Sequence, residues 1–216
     1  MTVSRPPLNG FAPYATGDFS SPAVISCSPR SGGNSDDAAA FFREGIRQAG
    51  GRSQLFFLRD FSIHPCQGCI RCAQDPRGEC YLSDQDQSAQ LFQALLAAPS
   101  IFISSPIYFY HVPAQFKAWI DRSQSYYLRK ENQDPVMQKL AARPAIINLV
   151  AGRPQGERLF EGALLTLKYF LKTFNFHIQE QHVFRGIDNA DDLRGRSDAR
   201  ETLISAGSHA WTQLSA

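Results

Sequence analysis

Several features are scarce in this chain of 216 residues, and each absence removes a class of function. No run of acidic or basic residues exceeds a few positions and the net charge is +2, so neither nucleic acid nor a membrane surface is expected as partner. Met1 to Ser21 carries Pro, Gly and Ser without the apolar centre of a signal peptide, and reads as a loose N-terminal extension. No internal repeat is visible. No Lys follows a Gly at Walker-loop spacing, and the G-x-G-x-x-G dinucleotide fingerprint is missing. Long hydrophobic runs are few. Leu91 to Tyr110 holds no charge over twenty residues, but Pro99 and Pro106 interrupt it and the pattern turns from helical to extended at Ser100. It reads as a helix followed by a buried strand, not as a membrane span.

What is present is an alternation of short apolar strands and amphipathic helices. Hydrophobic residues make up 43% of the chain, enough at this length for a full core, and one domain over 22–216 is expected behind the extension 1–21. The expected strands are Val24–Cys27, Gln54–Leu58, Ile101–Ser104, Ala145–Val150 and an alternating, edge-like His177–Phe184. Helices are expected over Asp36–Ala49, after a capping box at Ser83–Asp86, with Pro113 in first position, along Phe160 to Phe174, and from about Ser197. Tyr126 to Arg143 reads as a polar connection, either a partner surface or a flexible excursion. Such an alternation implies an α/β fold, a doubly wound parallel sheet covered on both faces.

The stretch Ser28-Pro29-Arg30-Ser31-Gly32-Gly33-Asn34-Ser35 lies between the first strand and the first helix. Free N–H groups and the dipole of a helix start favour an anion there. Ser28, Ser31, Asn34 and Ser35 can donate hydrogen bonds to phosphate, and Arg30 can add charge-assisted ones. The plainer alternative is a strand–helix turn capped by Asn34 or Ser35, which the acids Asp36 and Asp37 also fit. A bound phosphate requires those two carboxylates to face away from it. In doubly wound sheets ligands sit outside the carboxyl ends of the strands. That rule gathers Ser28–Ser35, Pro106–His111 and Ala151–Gly156 around one crevice, with phosphate donors on one side and flat apolar surface on another. A phosphate-tailed aromatic ligand suits the combination.

Of five cysteines, four stand between Cys66 and Cys80 at C-x2-C-x2-C-x7-C spacing. Clustered thiols without a signal sequence belong to metal or redox chemistry in a reducing, cytoplasmic compartment. Cys66, Cys69, Cys72 and Cys80 could supply the four thiolates of a [4Fe–4S] centre. Zinc is the competing metal, although structural zinc prefers two separated C-x2-C knuckles. A set of free or disulfide-capable thiols without metal is the third possibility. His64 reads as a strand-end residue, and Cys27 as a small buried side chain.

In these motifs the chain resembles the flavodoxin-like NADPH-dependent FMN reductase family, in particular its iron–sulfur flavoprotein branch. The resemblance is carried by Ser28 to Ser35, Cys66-Gln67-Gly68-Cys69 with Cys72 and Cys80, Ser105-Pro106-Ile107-Tyr108, and Gln115-Phe116-Lys117 with Asp121-Arg122, in the family's order. It implies a five-stranded sheet in the order 2-1-3-4-5 and FMN held by its phosphate on Ser28, Arg30, Ser31, Asn34 and Ser35. The ring would lie against Pro106, Ile107, Tyr108 and Phe109, with Ala151 and Gly152 nearby. Backbone N–H groups of Ile107 to Phe109 would stabilise reduced flavin. The resemblance further implies a [4Fe–4S] cluster on Cys66, Cys69, Cys72 and Cys80, NAD(P)H or a soluble carrier as electron donor, a small-molecule or protein acceptor, and assembly as a homodimer or homotetramer. The flavin carries the chemistry, so no side chain is assigned as catalytic. The rival reading is an electron carrier without catalysis, or a zinc-stabilised binding module on the same fold. Asp84-Gln85-Asp86, where the family has paired acids, the extension 1–21 and the long spacing to Cys80 depart from the pattern.

Overall fold

The computed structural model describes residues 21–215, so the extension expected over 1–21 lies, Ser21 apart, outside the described residues. In chain order the elements are β1 (Ala23–Ser26), α1 (Asn34–Gln48), β2 (Gln54–Phe57) and a short 3-10 turn at Leu58–Asp60. Next come α2 (Arg71–Gln74), α3 (Ser88–Ala97), β3 (Ile101–Pro106), α4 (Ala114–Arg122), α5 (Gln124–Glu131) and α6 (Pro135–Gln138). β4 (Arg143–Ala151), α7 (Glu161–Thr173), β5 (Phe176–Arg185) and α8 (Ser197–Ser215) complete the described chain. The strands form one sheet in the order β2-β1-β3-β4-β5, and every neighbouring pair is parallel. This is the expected flavodoxin-like topology, with all strands ending at the same rim.

Side chains alternate across the sheet because strand residues point to opposite faces in turn. Ala23, Ile25, Ile101 and Ile103 meet Leu91 and Leu95 of α3, Phe116 and Trp119 of α4, and Leu167 and Phe170 of α7. Val24, Phe102, Ile146 and Val150 meet Ala38, Phe42 and Ile46 of α1 and Leu203 and Ala206 of α8. Each fully buried Leu, Ile or Phe contributes roughly 1.5–3 kcal/mol, so these two layers hold the sheet flat between them. The Phe42 and Phe102 rings stack with centroids 4.1 Å apart. Leu91 to Tyr110 divides between α3, β3 and the loop beyond, and no helix of the described residues is long and apolar enough to cross a membrane.

Three local expectations are corrected. Ser83 does not cap a helix: α3 begins at Ser88, where Asp86 accepts hydrogen bonds from the Ser88 N–H at 3.0 Å and Oγ at 2.7 Å. Most of Tyr126 to Arg143 is ordered into α5 and α6 rather than forming an irregular connection. The Asp134 carboxylate caps α6 by accepting from the N–H groups of Val136 and Met137, with Pro135 in the first turn. Pro113 sits one position earlier than expected, as the N-cap residue of α4.

Arg143, at the start of β4, ties two helix ends together. Its guanidinium donates to the carbonyls of Leu95, Leu96 and Ala98 at the end of α3 and of Phe174 after α7. Such C-terminal carbonyls have no intrahelical donors, and a cation suits that end of the dipole. Burial alone pulls the Arg143 pKa down to about 10.

Candidate functional site

The turn after β1 is built to leave a helix end open. Gly32 adopts a left-handed backbone with φ +67°, which lets the chain reverse into α1. The N-cap of α1 is Gly33, and no side chain caps the helix. Ser28 is buried, its Oγ engaged with the carbonyl and N–H of Arg30, both at 3.1 Å. Ser35 is 2% exposed and its Oγ finds no hydrogen-bond partner among the described residues. A buried hydroxyl without a partner costs free energy, so its retention at an uncapped helix start marks a place for an acceptor.

Both nearby acids are engaged by other side chains, and Asp36 by the turn as well. Asp36 accepts from Ser26 Oγ at 2.5 Å, from the Gly32 N–H at 2.8 Å and from Arg59 Nη1 at 3.0 Å. Asp37 pairs with Arg194 Nη2 at 2.7 Å. Asp37 is thus turned to Arg194, while Asp36 occupies one N–H of the turn, that of Gly32, so the condition for anion binding is met only in part. Asn34 sits in the turn, but its side chain is committed: Nδ2 donates to the Asn189 carbonyl at 2.8 Å and Oδ1 accepts from the Leu193 N–H at 2.9 Å. Arg30 and Ser31 are exposed at its lip, with Arg30 Nη2 donating to the Asp188 carbonyl at 3.3 Å.

A second part of the rim is a cavity of about 390 Å³ between the loops after β3 and β4. Ile107, Tyr108 and Phe109 line it from one side, Ala151, Gly152 and Arg153 from the other, with Leu159 at its back and Tyr110 at its mouth. Pro106 ends β3 beside it. The structure thus brings together the loops expected at Ile107–Phe109 and Ala151–Gly152. It also ties the phosphate turn to them through the segment after β5: Asp188 touches Arg30, and a Cβ on Gly152 would come within 2.7 Å of Asp188 Oδ1.

The turn at Tyr108–His111 is closed by reciprocal backbone hydrogen bonds of 2.8 and 3.0 Å. Its two central residues, Phe109 and Tyr110, have φ +50° and +63°. Two left-handed central residues define a type I′ turn, normally the place of Asn and Gly. With aromatic residues there the turn stores strain, and such strain gathers at binding sites. The Ile107 N–H is spent on the Val150 carbonyl and the Tyr108 N–H on that of His111. The expected row of three free donors is therefore reduced to Phe109, because the sheet ladder and the turn use the other two.

The cysteine loop forms a separate feature. Cys66 and Cys69 are exposed, Cys72 and Cys80 half-buried, and all four are free thiols. Among the described residues no three His, Cys, Asp or Glu side chains are arranged to hold a metal ion, so the expected ligand set is not assembled. The loop between the first three thiols turns through left-handed residues at Gly68 and Ile70. The thiols remain within electrical reach: burial, then the neighbouring Cys80, Cys66 and Cys69, push the Cys72 thiol pKa up. Cys27 is buried as expected, and burial pushes its thiol well up.

Arg59 and the Asp188–Asn189 segment belong to the rim but were not expected there, and Tyr110 and Arg153, which lie in expected loops, were not singled out. Asp192 accepts from the N–H groups of Asp188 and Asn189, a turn signature readable in the sequence. The position of Asn189 beside Asn34, 155 residues earlier, is not.

Sheet order, strand polarity and a ligand-sized rim define a flavodoxin-like protein. A model of the family described as NADPH-dependent FMN reductase matches residues 22–178, and the chain belongs to that family. It is 30% identical over 108 residues to an iron–sulfur flavoprotein of Methanosarcina thermophila, covering 50% of this chain and 53% of that one. A second iron–sulfur flavoprotein, of Methanocaldococcus jannaschii, is 32% identical over 100 residues, 46% and 50% of the two chains. The chain thus spans about half the length of these relatives. Among solved structures, a flavone reductase superposes with a TM-score of 0.68 at 14% identity, covering 90% of this chain and 63% of the other. An NAD(P)H:quinone oxidoreductase from Methanothermobacter marburgensis gives 0.62 at 16% identity, covering 90% and 96%. An FMN-dependent NADH-azoreductase from Bacillus anthracis, in complex with FMN, gives 0.60 at 13%, covering 88% and 99%. At these identities the structural likeness speaks for the fold alone.

Proposed function

We propose that this protein binds FMN at the rim and works as an oxidoreductase, passing reducing equivalents from NAD(P)H or a soluble carrier to an acceptor. The observation that carries the reading is the buried, unpartnered Ser35 hydroxyl at an uncapped helix start, next to an aromatic-walled cavity. The phosphate would rest on Ser28, Arg30, Ser31, Ser35 and the turn at Asn34, whose amide serves the backbone while its N–H faces the helix mouth. The ring would lie against Pro106, Ile107, Tyr108 and Phe109, with Ala151 and Gly152 nearby. When bound, FMN supplies both hydride and single-electron chemistry. The chain's part is to orient the ring, exclude water from its buried edge at Ala151 and Leu159, and admit the second reactant at the exposed mouth. With a quinone acceptor the overall balance is NAD(P)H + H⁺ + quinone → NAD(P)⁺ + hydroquinone.

Cys66, Cys69, Cys72 and Cys80 are the candidate ligands of a [4Fe–4S] cluster within the same proposal, supported by the four-thiol donor set and by the names of the relatives. Among the described residues the thiols are not gathered as a ligand set, and the passage of reducing equivalents from NAD(P)H to the acceptor needs no cluster. Assembly as a homodimer or homotetramer in a reducing, cytoplasmic setting completes the proposal. The test is anaerobic purification followed by FMN titration and NAD(P)H oxidation. Wild-type protein should bind FMN and oxidise NAD(P)H, and Ser35→Ala should weaken FMN by about tenfold, the worth of one hydrogen bond to a charged acceptor. A colourless protein with stoichiometric zinc and no flavin affinity would replace this reading with that of a binding module.

A further inference from the structure

The walls of the rim cavity differ from floor to mouth. At the floor Ala151 and Leu159 are each 3% exposed, while at the mouth Phe109 is fully exposed and Arg153 is open to solvent. Arg153 is the one charged side chain lining the cavity, and among the described residues no carboxylate pairs with it. Its Nη1 instead donates to the Tyr110 hydroxyl at 3.1 Å. A hydroxyl is no counter-ion, and one hydrogen bond leaves most of the guanidinium's five donors for something else.

Tyr110 is itself held tightly. A Cβ on Gly162 would come within 3.1 Å of the Tyr110 carbonyl, and one on Gly156 within 3.4 Å of its hydroxyl. The glycines let the loops close snugly around the strained turn, and the turn in that position directs the Phe109 ring outward, where an isolated aromatic gains nothing. A flat face, and a cation fixed through its neighbour Tyr110, therefore flank one opening. Other arginines of the rim are differently employed: Arg59 pairs with Asp36, Arg194 with Asp37 and Arg158 with Glu161.

We infer that the reactant meeting the flavin at this mouth is a flat aromatic molecule bearing a negative charge, stacked on Phe109 and paired with Arg153. The inference deepens the functional reading above and rests on it. Stacking supplies affinity for any flat ring, whereas the guanidinium discriminates, because a carboxylate or sulfonate can take its fork of donors and a neutral ring cannot. Arg153 is thus a specificity-determining residue, and Tyr110 positions it.

Calorimetric titration of the FMN-loaded protein with 2-naphthoate and with its uncharged amide, neither of which is reduced, tests this. Wild type should bind the anion at least tenfold more tightly than the amide, with the preference fading as salt is raised. Arg153→Gln should erase the preference while leaving amide affinity unchanged, and Arg153→Lys should restore part of it. Phe109→Ala, compared at equal bound FMN because Phe109 also borders the flavin, should weaken both ligands together. Equal affinity for both ligands in wild type, or a preference that survives Arg153→Gln, overturns the inference. The FMN absorbance of the same samples separates the two levels: no bound flavin refutes the functional reading, whereas bound flavin without anion preference refutes only this one.

Discussion

Asp86 and Arg122 form an ion pair with side chains 0% and 1% exposed, at the base of the cysteine loop. Both also grip the backbone of His64: Asp86 Oδ2 accepts from its N–H at 2.8 Å, and Arg122 Nη1 donates to its carbonyl at 3.1 Å. With Ser88 on the other carboxylate oxygen, the pair fastens the start of the loop to α3 and α4. Removing one partner leaves the other charge buried and uncompensated, a loss of about 3–5 kcal/mol, whereas replacing both by apolar groups is far less harmful. Asp86→Asn should therefore lower the stability measured by urea unfolding by about that amount, and adding Arg122→Met should recover a large part. If the double variant is no better than the single, the pair is not the source of the loss. In the sequence, Ser83-Asp84-Gln85-Asp86 looks like a local capping signal. Its last member does meet a helix start, accepting from the Ser88 N–H with one oxygen, but its other oxygen is recruited across the fold by the buried Arg122 guanidinium.

Among the elements, α1 and α8 pack with unusual closeness. A Cβ on Gly45 would lie 1.9 Å from the Ile204 carbonyl oxygen, and one on Gly207 2.0 Å from that of Phe42. Glycine in a helix costs up to about 1 kcal/mol relative to Ala, so two facing glycines are retained for the approach they permit. Gly45→Ala should destabilise despite its better helix propensity. Overpacking of this kind typically costs about 1–3 kcal/mol, and displacing the α8 backbone places this site at the upper end. Chemical denaturation measures it, and a stabilised variant would show that the helices can separate at no cost. The apolar stripe of α1 is legible from its spacing. Its partner is not, since α8 lies more than a hundred residues further on and a lone Gly in a helix carries no address.

For the molecule as a whole, the proposed ligand would join three loops that the chain visits far apart. Only the folded state assembles them, so binding must raise stability by mass action, about 2.7 kcal/mol at a free concentration one hundred times Kd. FMN should accordingly raise the thermal midpoint, and riboflavin, which has no phosphate to meet the turn at Ser28–Ser35, should raise it less at equal concentration. Ser35→Ala should narrow the gap between the two. Equal shifts from both flavins in wild type would place the phosphate elsewhere.

The alternation of strands and helices and the doubly wound layers follow from the sequence alone, because they depend on local periodicity and on the handedness of parallel crossovers, whereas the strand order was what the family resemblance implied. The partners of the side chains were decided only by tertiary packing. Asn34 serves Asn189 and Leu193, Asp36 serves Ser26 and Arg59, and Arg153 stands beside Tyr110. A hydrogen bond is won by whichever acceptor the fold brings within reach, and sequence spacing carries no record of that distance. The four clustered cysteines mark the same boundary: their spacing is plain to read, but whether thiols converge depends on the path of the loop through Gly68 and Ile70.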